Sequence, residues 1–546
     1  MENGDISCKP NAFILQTPRA KPNGQLPARP REDRTRTMSN EELLKRTLRK
    51  SGVVLHPTSL PGPHGMGSLG RHAREFVDFL ARAEQKVWQV LPLGPTGLGN
   101  SPYMCTSAFA GNPLLIDLET LVDDGLLDAD AVVGGPDRRD HIDFALTIAF
   151  KEERLAWACA RFRAHASDDD RAAFAAFKQE HSDWLDDFCL FTALSRAQQF
   201  APWNRWPKPL KTRQPEALQA ARQEHAEAID TIAVEQFLFR RQWMALLDFA
   251  HQNQVMLVGD VPIFVAANSA DVWANPDIYW LDDDGEQIYE AGVPPDYFSP
   301  TGQLWGNPIY RWDVLAHRGY DWWIQRFKRT LETVDLIRID HFRGFADYWQ
   351  VEAGQPNAIN GKWVPGPGRD LFDAVHQALG QIPVIAEDLG IITPRVEELR
   401  DALELPGMKV LQFAFGGDSA NPHLPHCHIP RCVVYPGTHD NDTTVGWYAG
   451  ADAEVLDHVR SYLRIDGNDI AWQFIGVAWQ SPAELAVVVC QDLLSLDSSA
   501  RMNTPGVADG NWSWRLLEGQ LHDGIAERLR GLTRLYWRSE RSYQRK

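Results

Sequence analysis

Leu336-Ile337-Arg338-Ile339-Asp340-His341-Phe342-Arg343-Gly344 carries two charges into a short apolar run that reads as a β-strand over Leu336–Asp340. Side chains of an extended chain alternate between faces, so Arg338 and Asp340 share one face while Ile337 and Ile339 share the other. A buried strand should stay apolar, so charge placed there marks a site rather than packing. A carboxylate with an arginine two residues upstream on its own face is partnered and kept ionised. Barrel enzymes keep their chemistry at the C-terminal ends of parallel strands, and Asp340 is therefore the first candidate nucleophile.

Outward from this strand, short β-branched runs alternate with longer helical stretches. The strand candidates are 53–56, 87–93, 255–261, 336–340, 384–387, 410–415, 432–435 and 486–490. Eight such strands suit an α/β fold, a closed (β/α)8 TIM barrel. Two intervals exceed simple βα turns. Residues 95–254 hold amphipathic stretches near 142–165, 171–199 and 214–252, which read as a mainly helical insertion. Residues 262–335 are rich in Gly, Pro, Asp and Tyr and read as a loop-rich insertion beside the site. Residues 1–46, rich in proline, arginine and lysine, read as a poorly ordered extension, and 47–546 as the catalytic barrel. No C-terminal β-sandwich is expected.

The chain has 546 residues, with 55 Lys plus Arg against 73 Asp plus Glu, a formal net charge of −18. That surface disfavours nucleic acid and anionic membrane, and suits a neutral partner. No apolar run is long enough to span a bilayer and the amino terminus lacks an apolar signal core, so a cytoplasmic location is expected. Seven scattered cysteines agree with a reducing compartment. The segment from His423 to Cys432 has metal-ligand residue types, but its spacing fits none of the usual zinc patterns. The 20 tryptophans exceed ordinary usage; most should be core, and indole faces also stack on sugar rings.

Three acidic residues sit at the ends of three strand candidates: Asp340, Glu387 in Val384-Ile385-Ala386-Glu387-Asp388, and Asp440 in Gly437-Thr438-His439-Asp440-Asn441. A barrel brings all three to one rim. Converging carboxyl groups suit glycosidic bond chemistry, one attacking the anomeric carbon and a second protonating the leaving oxygen. Singly, Glu387 with Asp388 also reads as a cap and Asp440 with Asn441 as a turn. Recurrence at three strand ends favours the site. Metal-assisted chemistry with His56, Asp260, Asp340, Glu387 and His439 as ligands is the other reading, although no His-x-x-x-His pair supports it. No Walker-type Gly-x-x-x-x-Gly-Lys and no Gly-x-Ser-x-Gly is present.

Several further segments carry a resemblance: Leu55-His56-Pro57-Thr58-Ser59-Leu60-Pro61-Gly62, Ser101-Pro102-Tyr103, Gly259-Asp260-Val261-Pro262, Pro294-Pro295-Asp296-Tyr297-Phe298, Trp305-Gly306-Asn307-Pro308 and Asn511-Trp512-Ser513-Trp514-Arg515. From about residue 50 onward the chain resembles the amylomaltase family, the 4-α-glucanotransferases or disproportionating enzymes related to the α-amylase superfamily. The resemblance implies Asp340 as nucleophile, Glu387 as general acid and base, and Asp440 as the carboxylate that binds donor hydroxyls. It further implies that Arg338 holds Asp340, that Tyr103, Asp260, His341 and His439 contact substrate, that Trp305 stacks on the acceptor, and that Asp296 lies in a loop covering the cleft. Leu496-Asp497-Ser498-Ser499 departs from the family's Gly-Glu before Ala500-Arg501-Met502-Asn503, which bears only on local loop detail.

The expected reaction is retaining transfer of α-1,4-glucan segments from a maltooligosaccharide to the 4-hydroxyl of glucose or another α-1,4-glucan, with no cofactor and no metal required. An amylase-type hydrolase would use the same carboxylates. A catalytically silent glucan-binding protein would survive Asp340→Asn unchanged.

Overall fold

The computed structural model describes residues 49–136, 140–295 and 299–539; the expected N-terminal extension, residues 1–46, lies outside them, as does Asp296. In chain order the strands are β1 (Lys50–Val54), β2 (Val87–Gln89), β3 (Met256–Pro262) and β4 (Tyr289–Val293). Then come β5 (Gln303–Pro308), β6 (Leu336–Asp340), β7 (Asp347–Glu352) and β8 (Gly361–Pro365). The last four are β9 (Val384–Ala386), β10 (Gly407–Val410), β11 (Cys432–Tyr435) and β12 (Leu485–Val489).

Eight of these strands are parallel, in the order β10-β11-β12-β1-β2-β3-β6-β9. The Ala386 N–H donates to the Pro406 carbonyl at 2.9 Å and brings β9 beside β10, so the sheet closes as a (β/α)8 barrel. All eight expected strands are present, with one shifted. The run 410–415 is a strand only up to Val410, and Leu411–Phe413 forms a 3-10 turn closed by the Ala414 N–H on the Leu411 carbonyl. Close packing of β1 on β2 needs glycine at position 52, where a Cβ would meet the Val87 carbonyl oxygen at 2.3 Å.

Residues 95–254 are mainly helical, with two breaks that apolar periodicity alone misses. The stretch 171–199 divides into Asp168–Glu180 and Leu185–Ala197, and 214–252 into Pro215–Glu224 and Ala226–Gln252. The Ser167 side chain caps the first of these by accepting from the Asp170 N–H, which starts that helix earlier than the apolar pattern does. The long helix Ala226–Gln252 fixes the loop after β2. Gln236 donates to the Gly111 carbonyl and accepts its N–H, both at 2.8 Å. Gln242 treats Asp117 in the same two-way manner, at 3.1 and 2.7 Å.

The second interval is not loop alone. It contains β4, β5 and the helices Ala270–Ala274, Trp312–His317 and Asp321–Leu331. With β7 and β8 it builds a four-stranded antiparallel sheet in the order β5-β4-β7-β8, which the sequence did not lead us to expect. This sheet lies mid-chain, and the described chain ends after the helix Asp523–Leu535. Most tryptophans are core, Trp88, Trp243, Trp273, Trp323 and Trp479 being fully buried. Among the described residues no helix is long and apolar enough to cross a membrane.

Candidate active site

The site grows from the register of three adjacent strands. β3 pairs with β6 so that Asp260 lies opposite Arg338 and Pro262 opposite Asp340. β6 pairs with β9 through Ile339 and Ala386, which sets Glu387 beside Asp340 one position further on. Ile337 and Ile339 are fully buried on the opposite face, as alternation requires. Arg338 reaches along and across the sheet. Its Nη2 meets Asp340 Oδ1 at 3.0 Å, and its Nη1 meets Asp260 Oδ2 at 2.6 Å. Burial works against the guanidinium charge, but the two carboxylates more than offset it, so Arg338 stays a cation.

His341 follows Asp340 in the left-handed region, φ 55° and ψ 49°, an uncommon conformation for a non-glycine residue. This bend aims its N–H at Glu387 Oε2, 2.7 Å away, while the Leu389 N–H donates to Oε1 at 2.8 Å. Burial pushes the Glu387 carboxyl up, against Arg338 and the two backbone donors. Burial also raises Asp340, helped by Asp260, Glu387 and Asp440 and opposed by Arg338. Asp388 faces away from this pair. It accepts from the Met408 N–H and pairs with Arg400, each at 2.6 Å, and so braces β9 against β10.

Asp440 arrives on the turn after β11. The turn reading holds for its neighbour, since Asn441 Oδ1 accepts from the Thr438 N–H and hydroxyl. Asp440 itself points out of the turn, with its side chain 42% exposed and Oδ2 3.3 Å from His439 Nε2. The Tyr103 hydroxyl donates to Asp260 Oδ2 at 2.8 Å and lies 2.7 Å from His439 Nε2. An ionised carboxylate only accepts, so the phenol oxygen must accept from His439, and Nε2 carries the ring hydrogen. Burial keeps this imidazole neutral against the pull of Asp440. A chain of polar contacts thus runs from Asp440 through His439, Tyr103, Asp260 and Arg338 to Asp340.

Tyr103, which the resemblance places against substrate, thus bridges Asp260 and His439. Trp305, on β5, is half-buried and stands edge-on to the His341 ring at 4.8 Å between centroids. Trp512 packs against both Tyr103 and His439, and Asn503 donates to Asp440; neither residue had a predicted role. Asn511-Trp512-Ser513-Trp514-Arg515 stood out only as a matching segment, and nothing in it announces a contact with Tyr103.

Of the five side chains in the metal reading, His56 is pushed down to about 3 by burial, with His439 adding to the effect. Among the described residues, the one group of three ligand-type side chains with mutually close donor atoms is Glu180, His181 and Glu332. Glu332 already pairs there with Arg329 and Arg240. In the His423–Cys432 segment the histidine nitrogens serve structure: His423 accepts from the Val410 N–H and His428 bonds Ser481.

A family model described as 4-alpha-glucanotransferase matches residues 55–520, which contain every residue of this constellation. A 4-alpha-glucanotransferase of Thermus thermophilus is 50% identical over 492 residues, covering 89% of this chain and 98% of that protein. One from Synechocystis sp. is 48% identical over 495 residues, covering 90% and 98%. The solved amylomaltase from Streptococcus agalactiae, in complex with acarbose, superposes with a TM-score of 0.87 at 36% identity, covering 90% of this chain and 100% of that one. Barrel, carboxylates and sequence thus agree, and the chain belongs to the 4-α-glucanotransferase family.

Proposed function

We propose that Asp340 is the nucleophile, Glu387 the general acid and base, and Asp440 the carboxylate that binds donor hydroxyls, in retaining transfer between maltooligosaccharides and glucose or longer α-1,4-glucans. The single observation that carries this reading is Arg338 clamped between Asp260 and Asp340, with Glu387 in register on the next strand. Asp340 attacks the anomeric carbon as the glycosidic C–O bond breaks, and the departing oxygen takes a proton from Glu387. Glu387 then removes the proton from the acceptor's 4-hydroxyl, which attacks the same face and displaces Asp340.

The proton needed for the first step belongs on Glu387, because Arg338 makes its direct contact with Asp340. To donate it, one Glu387 oxygen turns from a backbone N–H toward the leaving oxygen. Asp260 Oδ1 and His341 Nε2 are buried without a protein partner and suit sugar hydroxyls. Trp305 beside His341 offers a stacking face to the acceptor. A cytoplasmic setting is part of the proposal; the six described cysteines are all unpaired, in keeping with a reducing compartment.

The test is maltotriose disproportionation. Purified protein should give a ladder of longer maltooligosaccharides plus glucose with nearly constant total reducing ends. Asp340→Asn should lower the rate by about 10⁴-fold or more, as loss of a nucleophile does. Reducing ends that rise steadily without a ladder would mean that water is the acceptor.

A further inference from the structure

Asp440 differs from the other carboxylates in how it is held. Asp260 is sealed against Arg338, whereas the Asp440 side chain is 42% exposed and its contact to a basic group is the neutral His439 at 3.3 Å. A half-exposed aspartate with so weak a partner would turn freely about its side-chain bonds. Here it does not depend on that partner, because Asn503 Nδ2 donates to Asp440 Oδ1 at 2.7 Å. The carboxylate can only accept, so the amide nitrogen, not its oxygen, must face it.

The segment that carries Asn503 is itself tied to the Asp440 turn. Arg501 Nη2 donates to the Asp440 main-chain carbonyl and Arg501 Nε to the Asn503 carbonyl, each at 2.8 Å. Just upstream, the Ser498 hydroxyl donates to Asp442 Oδ2 at 2.7 Å. Ser498 lies in the stretch that departs from the family pattern, and it pins the same turn two residues beyond Asp440.

We propose that Asn503 is a positioning residue for Asp440. Its amide fixes one carboxylate oxygen so that the other faces the donor glucose, and a neutral donor does this without cancelling the charge that the transition state needs. A lysine or arginine here would hold the carboxylate but pair with it. The inference rests on the reading of Asp440 as a substrate-binding carboxylate.

Four variants test it: Asn503→Ala, Asn503→Asp, Asp440→Asn, and the double variant Asn503→Ala with Asp440→Asn, each checked for an unchanged thermal melt. Asn503→Ala should lower kcat/KM on maltotriose by about 10- to 100-fold, the scale of a misplaced group in an active site. In the Asp440→Asn background the same change should cost nothing further. Asn503→Asp sets two carboxyls face to face, where one retains a proton to unusually high pH and can donate as the amide did. The activity ratio of Asn503→Asp to Asn503→Ala should therefore rise as pH falls from 8 to 5. Asp340, His439, Arg501 and Tyr103, the other titratable or charged groups that face Asp440, are the same in both variants and cancel. A ratio flat in pH, or an Asn503→Ala loss that persists without the Asp440 carboxylate, would overturn the inference. Full activity in Asp440→Asn alone would instead overturn the underlying role of Asp440.

Discussion

In the proposed mechanism Glu387 must be a carboxylic acid when the donor binds, and its surroundings act in that direction. Burial raises it above the ordinary glutamate range, so the protonated form persists to higher pH than in the unfolded chain. Two consequences have opposite value for the protein. The first step should show an alkaline limb as Glu387 loses its proton, and Glu387→Gln should abolish that limb along with most of the rate. Stability should also depend on this proton. Between the ordinary and the raised value the folded state binds more protons than the unfolded state, so stability is lost as pH climbs through that window. Glu387→Gln has nothing to titrate, so its melting temperature relative to the parent should gain more at pH 8 than at pH 5, measured by thermal melts at both. At this scale the sequence was most legible for acids that end apolar strands: Asp340, Glu387 and Asp440 stood out because charge there opposes burial. Asn503 did not, because an amide suits a loop as well as a site and its partner lies 63 residues away; Tyr103, 157 residues from Asp260, drew notice through the family resemblance alone.

Elements were legible where the chain repeats one physical pattern. The parallel strands are runs such as Cys432-Val433-Val434-Tyr435 and Leu485-Ala486-Val487-Val488-Val489, buried throughout and therefore continuous in apolar character. The antiparallel sheet escaped notice because its strands carry what strands usually avoid: Gly361-Lys362-Trp363-Val364-Pro365 and Gln303-Leu304-Trp305-Gly306-Asn307-Pro308 have glycine and proline within them and are partly exposed. Helix breaks at His181 and His225 have no proline or glycine to mark them. The helix Ala226–Gln252 does more than cover the barrel, since Gln236 supplies the loop after β2 with the donor and acceptor that a neighbouring strand would give. Replacing it with leucine leaves the Gly111 N–H and carbonyl buried and unpaired. Gln236→Leu should cost about 1–3 kcal/mol for each group so stranded, seen as a lower urea midpoint with an unchanged slope.

For the whole molecule the decisive contrast is between a strongly anionic surface and an internal site whose guanidinium, Arg338, is already paired with two carboxylates. The net charge is −18, yet Arg338 is spent within the protein on Asp260, which is fully buried, and on Asp340. Exposed charges interact over about 8 Å at physiological salt and less as salt rises, whereas buried pairs are screened little. A maltooligosaccharide has no charge, so the anionic surface neither attracts nor repels it, and encounter depends on shape, stacking and hydroxyl hydrogen bonds. Raising NaCl from 50 to 500 mM should thus leave kcat unchanged and shift KM for maltotriose by less than about twofold. Steady-state rates at both salt concentrations check this. A KM that fell steeply with salt would mean that the substrate is itself anionic and repelled at low ionic strength. A KM that rose would place an attractive charge on it. Either result would contradict a neutral glucan as the partner of this surface.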